Sequence, residues 1–337
     1  MPPLQAADAA PPLDAAMDVA NRLRTRLRAA VVGRDAVIDL VINALLADGH
    51  MLLEDYPGSG KTTLAKALGD CLIDDDPQDD IVSLRRIQFT PDLLPGDVTG
   101  TTIFDPTTQE FHFRPGPIFA HVVLADEINR TSPKVQSALL EAMAEKQVTV
   151  DNRTRRLDAL FFVIATQNPL DLAGTFPLPQ AQLDRFLFKV RMTHLTRTAE
   201  LELLTRLDEV LAGPPEDLPR VTRSEVLAAR RAAHQGVYIH PAVKEALVDI
   251  AQATRDHEAV LQGVSTRSLV LAMPALQVTA MLHGRDFVSP QDVSHLAPYI
   301  FAHRLALAPG SDEAERVVAD CARRAMDRLA RASVGRR

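Results

Sequence analysis

The run GSGKTT at residues 58–63 puts two glycines, a lysine and two threonines where a chain can cradle phosphate. Glycines let backbone N–H groups close on an anion, and the N-terminus of a following helix adds positive potential. Pro57, Gly58, Ser59, Gly60, Lys61, Thr62 and Thr63 form this candidate loop. In it Lys61 supplies a point charge to the outer phosphates and Thr62 a hydroxyl to Mg²⁺. The adjacent carboxylates Asp126 and Glu127 divide the work on metal and water between them. Asp126 holds a water on Mg²⁺, and Glu127 orients and deprotonates the attacking water. Asn168, in FFVIATQNPLD, brings an amide that holds the nucleophilic water or touches the γ-phosphate. The chemistry implied is hydrolysis of a nucleoside triphosphate. One position departs from the pattern GxxxxGK[ST], which asks for glycine where Asp55 stands. Singly, each signal has a blander reading: a chance Gly-Lys-Thr in a βα turn, two surface acids, a turn residue before Pro169. It is their order along the chain that points to one site.

Those residues need a scaffold that brings them to one edge. HMLLED before the loop reads as a short apolar strand, and further strands are expected at Leu84–Phe89, His121–Ala125 and Leu160–Ala165, with helices between, notably Ser132–Glu145. Strands alternating with helices imply a three-layer αβα domain with a mostly parallel sheet, whose ligands bind at the C-terminal strand edge. Two β-hairpins are expected as insertions: 96–117 around a turn at Asp105–Gln109, and 147–160 around Asp151-Asn152-Arg153. Upstream, 18–30 and 34–48 read as helices broken at Val32-Gly33. After Val190 strand signals give way to helices: Val243, Leu247 and Ile250 recur at helical spacing, Ser289 caps a helix opening with Pro290, and PPEDLP at 214–219 is a loop. Arg267 falls in the first turn of another helix, where a cation opposes the dipole unless an anion is held nearby. Pro274, two turns further on, is expected to kink that helix. The resulting organisation is a flexible tail (1–17), an α/β core (18–193), an all-α domain (194–332) and a flexible C-terminus (333–337).

Composition narrows the function classes. The 337 residues are 46% hydrophobic and 24% charged, ordinary for a globular protein of about two domains. Aromatics are 4% with no Trp, and the net charge is −7, so there is no stacking platform or global field to favour nucleic acid or an anionic membrane. Cys71 and Cys321 stand 250 residues apart with no metal or disulfide framework, the N-terminal PPLQAADAAPPLDAA lacks the basic residues of a signal peptide, and no apolar run is long enough to span a membrane. A cytoplasmic location is expected. DDDPQDD at 74–80 reads as a solvated surface loop; Arg22, Arg24, Arg26 and Arg28 alternate at period two on a helix and so form no single stripe; Arg153, Arg155 and Arg156 read as an exposed hairpin tip, the alternative being the wall of a pore.

With the motifs in this order, the sequence resembles the AAA+ ATPases and, within them, the MoxR family of the helix-two-insert clade. The strings DEINRTSPKVQSALLEAMAEKQVTV, IATQNP, FPLPQAQLDRFLFKV and HRLALAP carry the likeness, over roughly residues 18–310. The resemblance implies an α/β ATPase core with two inserted hairpins and a helical lid. It implies ATP/ADP and Mg²⁺ as ligands, Lys61 and Thr62 as Walker A, Asp126 and Glu127 as Walker B, Asn168 as sensor 1, and Val32-Gly33 near the adenine. An acid at Asp55 is compatible with MoxR-like sequences. It further implies that Arg185 is a finger reaching a neighbouring subunit's site, the alternative being a salt bridge to Asp184. A planar guanidinium matches charge spread over equatorial phosphate oxygens. Arg267 becomes sensor 2, acting in its own subunit or a neighbour's. A homo-oligomeric, hexameric ring follows, which remodels or activates a protein partner; similar proteins work with partners that carry a von Willebrand factor A domain. The rival readings are a nucleic-acid-dependent motor of the same clade, a nucleotide-dependent binding module with little turnover, and a chelatase or Rubisco-activase subunit.

Overall fold

The computed structural model describes residues 12–55, 59–75, 81–169, 174–311 and 313–334. Along the chain the main strands are β1 (Met51–Asp55), β2 (Val82–Gln88), β3 (Gly100–Asp105), β4 (Glu110–Pro115), β5 (Ala120–Asp126), β6 (Gln147–Val150), β7 (Arg153–Arg156), β8 (Phe162–Gln167) and β9 (Phe188–Met192). Five of them make one parallel sheet in the order β9-β1-β8-β5-β2. The main helices are α1 (Leu13–Ala30), α2 (Asp35–Leu46), α3 (Lys61–Cys71), α4 (Pro133–Glu145), α5 (Arg223–Gly236), α6 (Pro241–Arg255), α7 (Thr266–Leu282), α8 (Pro290–Phe301) and α9 (Ala314–Val334).

The apolar runs form the sheet because parallel strands are covered on both faces. All of β5, AHVVLAD, is buried. Successive side chains go to opposite layers: Val123, Ala125 and Val163 pack with Leu139 and Met143 of α4, while Val122, Leu124 and Ile164 face the cluster built from α1, α2 and α3. That second cluster continues without a break into the C-terminal helices, with Val226, Ile250, Leu276 and Ile300 as members.

Both hairpins form as expected. β3 pairs antiparallel with β4 from Gly100↔Pro115 to Asp105↔Glu110, and β6 with β7 from Gln147↔Arg156 to Val150↔Arg153. Asp151 and Asn152 both take positive φ (51° and 58°), the two-residue geometry that matches strand twist.

Several expectations need correction. Helix α1 begins at Leu13, so residues 13–17 belong to a helix and not to a tail; Pro12 and Asp14 suit a helix start, and Ala16 is buried. At the other end α9 runs to Val334, two residues into the expected flexible C-terminus, and the next residue is the helix breaker Gly335. Residues 1–11 and 335–337 lie outside the described residues, as do 76–80, most of the acidic run expected at the surface. The sheet also has a fifth strand that the periodicity reading passed over. In β9 Phe188, Val190 and Met192 are buried while Lys189 and Arg191 face outward, a period-2 pattern too short to stand out without its partner β1. The C-terminal region is not purely helical: Val221–Thr222 pairs with Leu72–Ile73, and Val260–Gln262 with Ala306–Leu307. Pro274 lies inside a helix as expected, and α7 continues past it to Leu282. Asn43 of α2 braces it there, its Nδ2 donating to Ala275 O (3.0 Å) and Thr279 Oγ1 (2.7 Å).

Candidate active site

The C-terminal ends of β1, β5 and β8 converge on the start of α3. Pro57 and Gly58 lie outside the described residues. Ser59 and Gly60 lead into the helix, with Ser59 Oγ 3.9 Å from Met192 Sδ. Gly60 has φ +94°, and among the described residues nothing beyond its chain neighbours and own helix lies within 4 Å of where its Cβ would stand. Backbone conformation, not crowding, therefore requires the glycine, and the space above it is open to a ligand. The first helical bond runs from Leu64 N to Gly60 O at 2.9 Å, so the first-turn N–H groups that a helix leaves without i−4 acceptors face this loop.

Lys61 Nζ stands 3.6 Å from Oδ1 of Asp126. Thr166 Oγ1, at the end of β8, donates to that same oxygen at 2.7 Å and accepts from the backbone N–H of Glu127 at 2.9 Å. Arg86 of β2 holds the other oxygen, Oδ2, through its terminal nitrogen (2.7 Å) and Nε (3.3 Å). Burial works to raise the Asp126 carboxyl, but the Thr166 hydroxyl, Arg86 and Lys61 outweigh it and hold its pKa below the ordinary value. Glu127 turns the chain with a left-handed φ of 58°. Its Oε2 accepts from Gln88 Nε2 at 2.8 Å and pairs with Arg130 Nε at 3.2 Å. Gln88 in turn accepts from Arg86 at 2.7 Å, which links both Walker-type carboxylates to the edge strand β2. Asn168, half-buried, follows directly after β8 at the same edge.

Sequence reasoning missed Thr166, Arg86, Gln88 and Arg130. Arg86 and Gln88 are two apart at the end of a strand that shares this edge, which was the available signal. Glu54 was missed too. It takes Lys189 at 2.9 Å, Gln167 at 3.0 Å and Arg191 at 3.5 Å; burial opposes its charge, yet these partners hold its pKa low.

The remaining candidates are Val32, Gly33, Arg185 and Arg267. Val32 is buried, and Gly33, at φ +70°, sits so close to the segment after β9 that a Cβ there would stand 2.5 Å from Ala199 Cβ. Arg185 occupies the turn before β9, and its guanidinium makes no hydrogen bond or ion pair among the described residues. The alternative partner, Asp184, is taken by Arg304 Nε at 2.7 Å and by the hydroxyls of Ser265 (2.9 Å) and Ser268 (3.0 Å). Arg267 is exposed in the first turn of α7, between those two serines in sequence. The hairpin arginines are not equivalent either: Arg153 and Arg156 are exposed, whereas Arg155 lies 3.8 Å over the ring of Phe113.

The residues present fit a magnesium nucleotide. An open left-handed glycine heads a helix, a lysine and a threonine follow it, and a buried carboxylate held in the charged form faces the lysine. Thr62 and Asp126 would hold Mg²⁺, which when bound supplies charge neutralisation at the β- and γ-phosphate oxygens.

Comparison with known proteins agrees with this geometry. Residues 50–188 match the family described as ATPase family associated with various cellular activities (AAA), and residues 252–321 match the AAA lid domain. The Bacillus subtilis (strain 168) protein YeaC is 49% identical over 279 residues, covering 83% of this chain and 84% of that one. Chaperone MoxR1 of Mycobacterium tuberculosis is 37% identical over 290 residues, covering 82% and 73%. Among solved structures, a candidate ATPase from Cytophaga hutchinsonii superposes with a TM-score of 0.79 at 32% identity, covering 92% and 96%.

Proposed function

This chain belongs to the MoxR family of AAA+ ATPases, and we propose that it hydrolyses Mg²⁺-ATP to ADP and phosphate at the interfaces of a ring of identical subunits. The observation that carries the reading is the grouping of Lys61, Asp126 and Glu127 around Thr166, with Asp126 kept ionised. Lys61 and the first turn of α3 bind the phosphates, Thr62 and Asp126 hold the metal, Glu127 takes the proton of the attacking water and Asn168 orients it. Arg185 completes the site of a neighbouring copy. That its guanidinium has no partner among the described residues supports this, and Asp184 ties it to the turn that carries Arg267, so both guanidiniums are offered from one node.

The ring is a cytoplasmic hexamer whose turnover remodels or activates a protein partner. One curated relative is named a chaperone, which supports that output, and a von Willebrand factor A domain is the expected partner module. Among the described residues no helix is long and apolar enough to cross a membrane.

The test is phosphate release and particle mass in ATP for the wild type and Glu127→Gln. Nucleotide binding and ring assembly should persist in the variant while turnover falls about 10²–10⁴-fold. Unchanged turnover would remove Glu127 as the base. A pull-down with the trapped ring identifies the partner. Strong, salt-sensitive stimulation of the rate by DNA would instead favour a nucleic-acid motor.

A further inference from the structure

A cleft of about 750 Å³ lies against the free edge of the central sheet, on the strand that holds Asp126 from outside. Four arginines line it, Arg85 and Arg86 from β2, Arg114 from β4 and Arg156 from β7, and among the described residues no acidic one does. Arg85, Arg114 and Arg156 are exposed and make no hydrogen bond or ion pair among the described residues. Their grouping follows from tertiary structure. The stacking of Arg155 on Phe113 at 3.8 Å joins the second hairpin to the first and brings Arg156 to the same wall as Arg114. Of the four only Arg86 has a carboxylate partner among the described residues, and the like charges of Arg85, Arg114 and Arg156 repel one another, so an anion bound between them is favoured.

We propose that this cleft is a docking site for an extended, acidic segment of a partner protein. The choice of polypeptide rests on the edge strand. Among the described residues β2 pairs with a strand on one side only, β5, so its other side presents backbone N–H and C=O groups that an added strand can pair with and a nucleic-acid backbone cannot. An acidic strand laid there places alternate carboxylates toward Arg85, Arg114 and Arg156. Arg86 gives the site a consequence: it lines the cleft and also holds Oδ2 of Asp126 at 2.7 Å, so an occupant that draws on this guanidinium acts on the metal carboxylate. That link rests on the ATPase reading above; the docking does not.

The experiment titrates the full-length protein, without nucleotide, into a fluorescein-labelled alternating Glu–Val peptide and follows anisotropy. A Lys–Val peptide and a single-stranded oligonucleotide serve as competing probes. Salt-sensitive binding of the acidic peptide is expected, weakened about tenfold or more by the triple replacement Arg85→Ser, Arg114→Ser, Arg156→Ser. The matching Arg→Lys triple should retain part of it, with nucleotide affinity the same in both. Binding that the Ser triple leaves intact overturns the site, and so does an oligonucleotide that outcompetes the peptide through the same arginines. In a second arm the peptide should change ATP turnover of the wild type and not of the Ser triple. A peptide that binds without any such change overturns the link through Arg86, whereas a protein without turnover fails the ATPase reading and leaves the binding arm to decide.

Discussion

Arg304 holds Asp184 across 120 residues of sequence, Nε to Oδ1 at 2.7 Å, and so leaves Arg185, the next residue in the chain, without that partner. The guanidinium of Arg304 is almost fully buried and also donates to the carbonyls of Asp184, Phe186 and Leu187. One aspartate thus binds the turn before β9 to the C-terminal helices through Arg304, Ser265 and Ser268. The two candidate arginines, Arg185 and Arg267, flank this node.

Breaking the node should cost stability before it costs chemistry. Asp184→Asn leaves a buried guanidinium without its counter-charge and is expected to destabilise by about 3 kcal/mol. Urea denaturation read by circular dichroism measures it, with Asp249→Asn, which removes an exposed pair to Arg328, as the surface control expected to move by under ~1 kcal/mol.

Arg185→Ala should leave the fold and nucleotide affinity unchanged and lower turnover about 10³-fold or more. If the arginine acts across an interface, mixing Arg185→Ala with Glu127→Gln subunits restores part of the rate, because some mixed interfaces hold one intact site. No recovery in the mixture, with mixed rings verified, would place the arginine's action within its own subunit.

Thr166→Val removes the hydroxyl that both donates to Asp126 and accepts from the Glu127 backbone. Losing these bonds costs about 1–3 kcal/mol at the site, so turnover should fall about 10- to 100-fold with ATP affinity little altered, and Thr166→Ser should restore it. A change confined to affinity would assign Thr166 to binding instead.

His121 gives the fold a pH dependence. Fully buried at the start of β5, it lies 3.2 Å from Asp74 through Nε2 and 3.2 Å from Asp158 through Nδ1, and Arg223 of α5 pairs with the other oxygen of Asp158. In the imidazolium form both ring nitrogens donate, one to each of these aspartates, so the contact favours the charged ring. Burial opposes that charge, but the two aspartates raise the pKa above its usual 6.5. A raised folded-state pKa contributes stability fully present below pH 6.5 and lost as pH rises through the folded value. Asp158, depressed against burial by His121 and Arg223, contributes stability present above the unfolded carboxylate range and lost in acid. Melting temperature should therefore fall on the alkaline side above about pH 6.5. His121→Gln should be less stable at pH 6 and show a flatter alkaline slope; an unchanged slope would remove His121 as the titrating group.

Much of the site was legible because its signals are local. A phosphate loop is contiguous, and its Gly60 is dictated by one backbone torsion. Asp126-Glu127 and Asn168 each follow an apolar run that ends at a strand edge. The hairpins announce themselves through turn residues such as Asp151-Asn152. Illegible were the side chains that hold these groups in place. Arg86 and Thr166 reach Asp126 from 40 residues away in either direction, and the period-2 spacing of Arg86 and Gln88 marks a shared strand face without saying which carboxylate that face meets.

The sequence by itself determined the order of strands and chemistry-bearing residues, the two inserted hairpins and the family, since periodicity, turn chemistry and contiguous motifs are properties of neighbouring residues. Only the tertiary structure decided which charges meet. It added β9 beside β1, gave Asp184 to Arg304 and not to Arg185, stacked Arg155 on Phe113 and gathered four arginines along one sheet edge. Ion pairs and cationic clefts depend on distances of a few ångströms between residues remote in sequence, and those distances exist only once the sheet and both hydrophobic clusters have closed.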